Sequence, residues 1–263
     1  MKLSLHLKTS VVCLRWFFAT LASLAALRAP AAPPPPVVPP IIQRNYDSAR
    51  HRYETNADDV EAAWQLARAC FDRAEYPRRD SDRANLANEG IAACRKALVR
   101  QPHFAPLHYW LAMDLAQLAR TKVFGALSVV NQMDIEWKIT LTLDEKIDYA
   151  GPHRFLGLLY RDAPGWPVSV GDKAKARQHL LRAVELFPNF PENHLNLIET
   201  YLQWNETDAA RRATEKLGQI WSAARKEFSE EYWDESWKDW TQRLEKVHAK
   251  LNARPAAPPS RPK

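Results

Sequence analysis

Seven residues in fixed order, Leu156, Gly157, Tyr160, Ala176, Leu180, Ala183 and Pro188, constrain this chain more than any other feature. Leu156, Gly157 and Tyr160 fall on one face of a helix with a 3.6-residue period, and Ala176, Leu180 and Ala183 fall on one face of a second helix. The small residues let two helices approach closely, the large ones fill the space beside them, and Pro188 ends the pair. The arrangement recurs. Counting on from Pro188 without an insertion places Leu197, Ile198 and Tyr201, then Ala210, Thr214 and Leu217, in the same slots. Before it stand Leu111, Ala112 and Leu115, followed after a longer connection by Met133, Trp137 and Thr140. The first unit uses Leu66, Ala67 and Cys70, then Gly90, Cys94, Ala97 and Pro102. Glycine is scarce, and the apolar runs follow the helical rather than the strand period, so an all-α fold is expected.

Leu156-Gly157-x-x-Tyr160, with Ala176, Leu180, Ala183 and Pro188, resembles the tetratricopeptide repeat (TPR) family over about 57–222. The resemblance implies a TPR-like helical-hairpin solenoid of about four helix pairs. Trp233, Trp237, Trp240, Leu244, Val247 and Leu251 recur at spacings of four and three, which predicts a C-terminal capping helix. In TPR proteins the first helix of each pair lines the concave face. Here that assigns Trp64, Arg68, Tyr109, Met113, Arg154, Leu158, Arg161, Glu199 and Gln203 as candidate binding residues. Arg154, Leu158 and Arg161 are spaced so that two guanidinium forks flank an apolar residue, which suits carboxylates or phosphates. A narrower stretch, Leu143-Asp144 through Tyr149-Ala150-Gly151-Pro152 and the Gly171–Leu180 run, resembles the T component associated with TRAP transporters. That resemblance implies an exported helical accessory working beside a solute-binding protein.

The ends of the chain differ from its middle. Lys2 and Lys8 precede an apolar stretch, Trp16 to Leu27, that is too short to cross a bilayer comfortably, and Ala29 to Ala32 offer cleavage sites. Residues 1–32 therefore read as a signal peptide, 33–56 as a Pro-rich linker and lead-in, 57–253 as the helical domain and 254–263 as a disordered Pro-rich tail. The pattern predicts an exported, periplasmic protein without a stable membrane span. The formal charge of +6 is carried at the ends. Lys2, Lys8, Arg15 and Arg28 have no acidic neighbour within 1–32, and Arg254, Arg261 and Lys263 have none within the tail. The remaining body is one unit negative, which argues against nucleic acid as partner.

No arrangement of residues points to an enzyme or to a cofactor. There is no phosphate-cradling Gly-rich loop, no Cys pair at zinc spacing and no G-x-S-x-G. His108, His153 and His194 occupy one slot in successive units, but stacked helices lie about 8 to 10 Å apart and ligands of one Zn²⁺ converge to about 2.0 Å from it. They are expected to pack rather than to bind metal. Cys70 and Cys94 face each other across the first pair, which leaves a disulfide and two buried thiols as the alternatives. The loop Ala163–Gly171 carries Trp166, either pinned to the body or part of a recognition surface, and Asp172 is expected to cap the following helix. These features predict a non-enzymatic scaffold for a protein or peptide partner, a solute-binding protein among the candidates, with oligomerisation left open. The alternative is a binder of an anionic solute using Arg154, Arg161 and Tyr109.

Overall fold

The computed structural model describes residues 37–122 and 125–253. Among them every element is helical: α1 (Pro40–Thr55), α2 (Val60–Ala74), α3 (Asp80–Leu98), α4 (Ala105–Ala119), α5 (Ala126–Leu143), α6 (Ile147–Asp162), α7 (Lys173–Leu186), α8 (Pro191–Gln203), α9 (Thr207–Glu227) and α10 (Asp234–Asn252). A short 3-10 turn, Glu231–Trp233, leads into the last. The chain forms two compact units, one ending at Leu186 and holding α1 to α7, the other beginning at Phe187 and holding α8 to α10. The signal and tail assigned to 1–32 and 254–263 lie outside the described residues.

In the first unit α2/α3, α4/α5 and α6/α7 are antiparallel hairpins, and α2, α4 and α6 follow one another as the first helices of the stack. The small residues read from the pattern sit where helices meet. A Cβ on Gly157 would lie 2.6 Å from Leu180 Cγ, across the α6/α7 contact, and one on Gly90 would lie 3.0 Å from Ala67 Cα, across α2/α3. Leu66, Ala67, Cys70, Leu111, Ala112, Leu156, Leu180 and Ala183 are buried, as are Met133, Trp137 and Thr140 on α5. In the second unit α8 pairs with α9, and α10 packs on α8. Phe190, Phe228, Trp233, Trp237 and Trp240 form its aromatic core, with Trp240 within 4.9 Å of Trp237 and 5.5 Å of Phe190, centroid to centroid. Burial of these rings is the main stabilisation of a three-helix unit this small.

One boundary differs from expectation. The lead-in assigned to 33–56 is helical from Pro40 to Thr55. Pro40 occupies the first helical turn, where its missing N–H costs nothing and its fixed φ fits. Beyond it Ile42, Tyr46, Ala49 and Tyr53 recur at spacings of four and three on the less exposed face. Tyr46 donates to Glu89 on α3 at 2.7 Å and Gln43 accepts from Arg73 on α2 at 2.8 Å, so α1 belongs to the folded body.

Candidate functional site

The residues assigned to the concave face are mostly interior. Trp64, Tyr109, Met113 and Leu158 are buried, and Arg154 is fully enclosed at 0% exposure. The expected pair of open guanidinium forks around Leu158 is therefore corrected. Arg154 spends its donors on its own helix, and the Arg161 side chain is 9% exposed and grips the adjacent Asp162 at 2.6 and 2.7 Å. Glu199 accepts from Arg243 of α10 at 3.0 and 3.1 Å, Arg68 lies 4.0 Å from Asp72, and Gln203 is exposed. A helical wheel gives a direction for each side chain but not what covers it.

What Arg154 holds is unusual. Asp148, Tyr149 and Ala150, at φ/ψ of 54/48, 54/48 and 62/37, form a left-handed turn inside α6. For non-glycine residues this region costs about 1–2 kcal/mol each. The Arg154 guanidinium donates to the carbonyls of Asp148 and Tyr149 at 3.2 Å and to the Asp148 carboxylate at 2.8 Å, and the Tyr109 hydroxyl donates to the same carboxylate. Gly151 lies beneath the Tyr109 ring, where a Cβ would overlap the phenol. The Tyr149-Ala150-Gly151-Pro152 run thus encodes a locked turn. Nearby Asp72 is buried, and this pushes its carboxyl up to about 7, with Arg68 opposing and the charges of Asp148 and Glu75 adding. Asp114, wholly enclosed against Gly90, is pushed far above the usual carboxylate range by burial.

The aligned histidines pack within the folded body. His108 and His194 each place Nε2 against the carbonyl of the proline six residues earlier, Pro102 at 2.9 Å and Pro188 at 2.7 Å, closing the turn that leads into the histidine's own helix. His153 lacks such a proline and instead meets His179 at 2.9 Å, nitrogen to nitrogen, and Glu145 at 3.3 Å. Burial, then the facing His153, lowers His179 to about 4. Cys70 and Cys94 are free thiols, both fully buried, and burial raises both above the ordinary thiol range.

The surface offers one feature that the interior does not. Trp166 is 89% exposed and Val168 61% exposed, at the tip of the loop between α6 and α7. The loop is not slack: Gly171 N–H donates to Pro164 O at 2.9 Å, Asp172 N–H to Tyr160 O at 2.8 Å, and Gly165 and Gly171 form a bridge. A Cβ on Gly171 would collide with the Ala163 and Pro164 backbone, so glycine is needed for the closure. Asp172 accepts from Ala174 and Lys175 N–H at 2.9 and 3.0 Å and starts α7 as expected. The loop therefore holds an unpacked indole in solvent on a defined scaffold. Among the described residues no helix is long and apolar enough to cross a membrane.

Helical hairpins of this order, spacing and close small-residue contact define a helical-repeat fold of tetratricopeptide type. Solved structures share the fold. The crystal structure of MamA matches with a TM-score of 0.50 at 15% identity, covering 70% of this chain and 91% of that one. A thermophilic TPR protein of Thermus thermophilus matches with a TM-score of 0.55 at 19% identity, covering 80% and 93%. A family model described as Regulator of microtubule dynamics protein 1-3 matches residues 42–124, a span that begins within α1. Regulator of microtubule dynamics protein 2 of Bos taurus is 22% identical over an alignment of 178 residues, covering 59% of this chain. The chain spans 41% of the length of that relative.

Proposed function

We propose that this chain is a non-enzymatic helical-repeat scaffold that engages a protein partner, with the Trp166 loop as the contact. The observation that carries the reading is an indole 89% exposed on a loop closed by backbone hydrogen bonds. A solvent-facing Trp beside an exposed Val has much apolar area to bury, and a loop backbone already closed by hydrogen bonds has little left to order on binding. Export is part of the proposal and rests on the Lys2/Lys8 start and the apolar Trp16–Leu27 stretch. In that compartment the Leu143–Pro152 and Gly171–Leu180 runs support an accessory of a TRAP-type transporter. The match at residues 42–124 favours a second reading, in which the partner belongs to a microtubule assembly. An anionic solute is less well supported, because Arg154 and Tyr109 already hold Asp148.

A photo-crosslinking amino acid placed at Trp166, and separately at Val99, which is 85% exposed, tests the contact in cells of the source organism. A discrete adduct with one protein from position 166 and none from 99 is expected, and its compartment separates the two partner classes. Equal labelling from both positions, or none from 166, would sink the Trp166 contact.

A further inference from the structure

The open guanidinium pair expected on α6 has a counterpart in the first unit, where the end of α2, the start of α3 and the end of α4 meet. Gln117 of α4, 1% exposed, is the pivot. Its side-chain carbonyl accepts from Arg83 Nη1 at 2.6 Å and from Arg120 Nη1 at 3.2 Å, and its amide donates to Glu75 Oε1. Arg120 Nη1 also donates to Glu75 Oε1, at 2.8 Å. These contacts leave part of the cluster uncommitted. Arg83 is 9% exposed, yet no carboxylate comes within 4.0 Å of its guanidinium among the described residues. Burial, and then the nearby charge of Arg120, hold its affinity for its proton below the usual guanidinium range. A buried cation so placed is costly until an anion joins it. Every hydrogen bond of the two arginines runs through Nη1. The Nε/Nη2 edge of each, a fork that can grip an oxyanion side-on, donates to no group among the described residues. Glu75 Oε2 accepts no hydrogen bond there either, on a side chain 6% exposed. The Arg120 side chain, 20% exposed, opens the cluster to solvent.

We infer that Arg83, Arg120 and Glu75 form a site for a singly protonated phosphate group, either inorganic phosphate or a phosphomonoester. Charge sets the first requirement: two guanidinium cations and one carboxylate leave a single positive charge, which one monoanion cancels. Hydrogen bonding sets the second. The two forks require oxygen acceptors, and Glu75 Oε2 requires a donor. A phosphomonoester that keeps one proton supplies both, offering unprotonated oxygens to the forks and its P–O–H to Glu75. A carboxylate or a phosphodiester carries the same charge but has no hydrogen to give Glu75. A phosphate dianion would face that carboxylate with no proton between them. The site does not involve the Trp166 loop and does not rest on the contact proposed there.

Calorimetric titration of the full chain at pH 6, where about half of a phosphomonoester carries the proton, tests the assignment. Glycerol phosphate or inorganic phosphate should bind saturably and about tenfold more tightly than dimethyl phosphate or acetate, and the tighter of the first two identifies ester or inorganic phosphate as the preferred form. Arg83→Lys keeps the charge but removes the fork, and should weaken that binding about tenfold with unchanged helical circular dichroism. Glu75→Gln removes the carboxylate, so the preference for glycerol phosphate over dimethyl phosphate should fall about fivefold, a change that a merely structural role for Glu75 would not produce. Absence of saturable binding of either phosphate by the parent protein overturns the inference. So does acetate or dimethyl phosphate binding as tightly as the monoester, or Arg83→Lys binding as tightly as the parent.

Discussion

At the scale of single residues, the decisive group is Arg154, whose value is structural. Its guanidinium compensates the Asp148 carboxylate in a site from which water is excluded and satisfies two carbonyls of a left-handed turn. Removing one partner of such a pair leaves a buried charge alone, a loss of about 3–5 kcal/mol. Arg154→Met should lower the urea midpoint by that equivalent at unchanged m-value; a loss under about 1 kcal/mol would show that the turn holds itself. Asp72 and His179 carry opposite pH signatures. Asp72 keeps its proton in the fold up to about 7 but loses it near 4 when unfolded, so its contribution falls as pH rises through that interval. His179 is neutral in the fold down to about 4 but binds a proton below about 6.5 when unfolded, so its contribution is present above 6.5 and is lost as pH falls toward 4. Denaturation between pH 4 and 6.5 should show stability rising more steeply with pH in Asp72→Asn than in the parent. In His179→Gln the rise should be shallower or inverted. Parallel curves for all three proteins would refute both assignments.

At the scale of elements, local chemistry was readable wherever one residue decides the outcome. The Asp172 cap on α7 is such a case, and so is the close contact at Gly157. Asp172→Ala should cost about 1 kcal/mol by calorimetric or urea unfolding, the usual loss of an N-cap. Gly157→Ala should cost about 1–3 kcal/mol, because its Cβ would press on Leu180 and the Ala176 carbonyl in a packed interface. A neutral Gly157→Ala would mean that α6 and α7 can separate without loss. Helix α1 was hidden by its own first residues. Proline there reads equally as the end of a spacer and as the first turn of a helix, and only the stripe from Ile42 to Tyr53 distinguishes them. The left-handed turn in α6 was not legible, since Asp148, Tyr149 and Ala150 carry no glycine to announce positive φ, and it depends on Arg154 and Tyr109 from later and earlier in the chain.

At the scale of the molecule, the register of the repeats was legible because each hairpin repeats the same steric requirement, so Leu156, Gly157 and Leu180 could be placed before any contact was known. The binding face was not, because periodicity gives which side of a helix a residue occupies and burial depends on what the rest of the chain lays over it. Tyr109 and Arg154 are interior, while Trp166, on a loop with no periodicity, is the large aromatic most exposed among the described residues. Repeat proteins are stabilised by contacts between neighbouring elements rather than by one central core, so damage should remain local. Trp240 tests this within the second unit. It is fully enclosed by Phe190, Phe228, Trp233 and Trp237, and its truncation removes a ring from each of those contacts. Trp240→Ala should cost about 3–5 kcal/mol locally. Amide hydrogen exchange should accelerate through α8, α9 and α10, while α2 to α4 retain the protection they have in the parent protein. A uniform acceleration across both sets of helices would show instead that the two compact units unfold as one, and that the repeat description does not extend to the energetics of this chain.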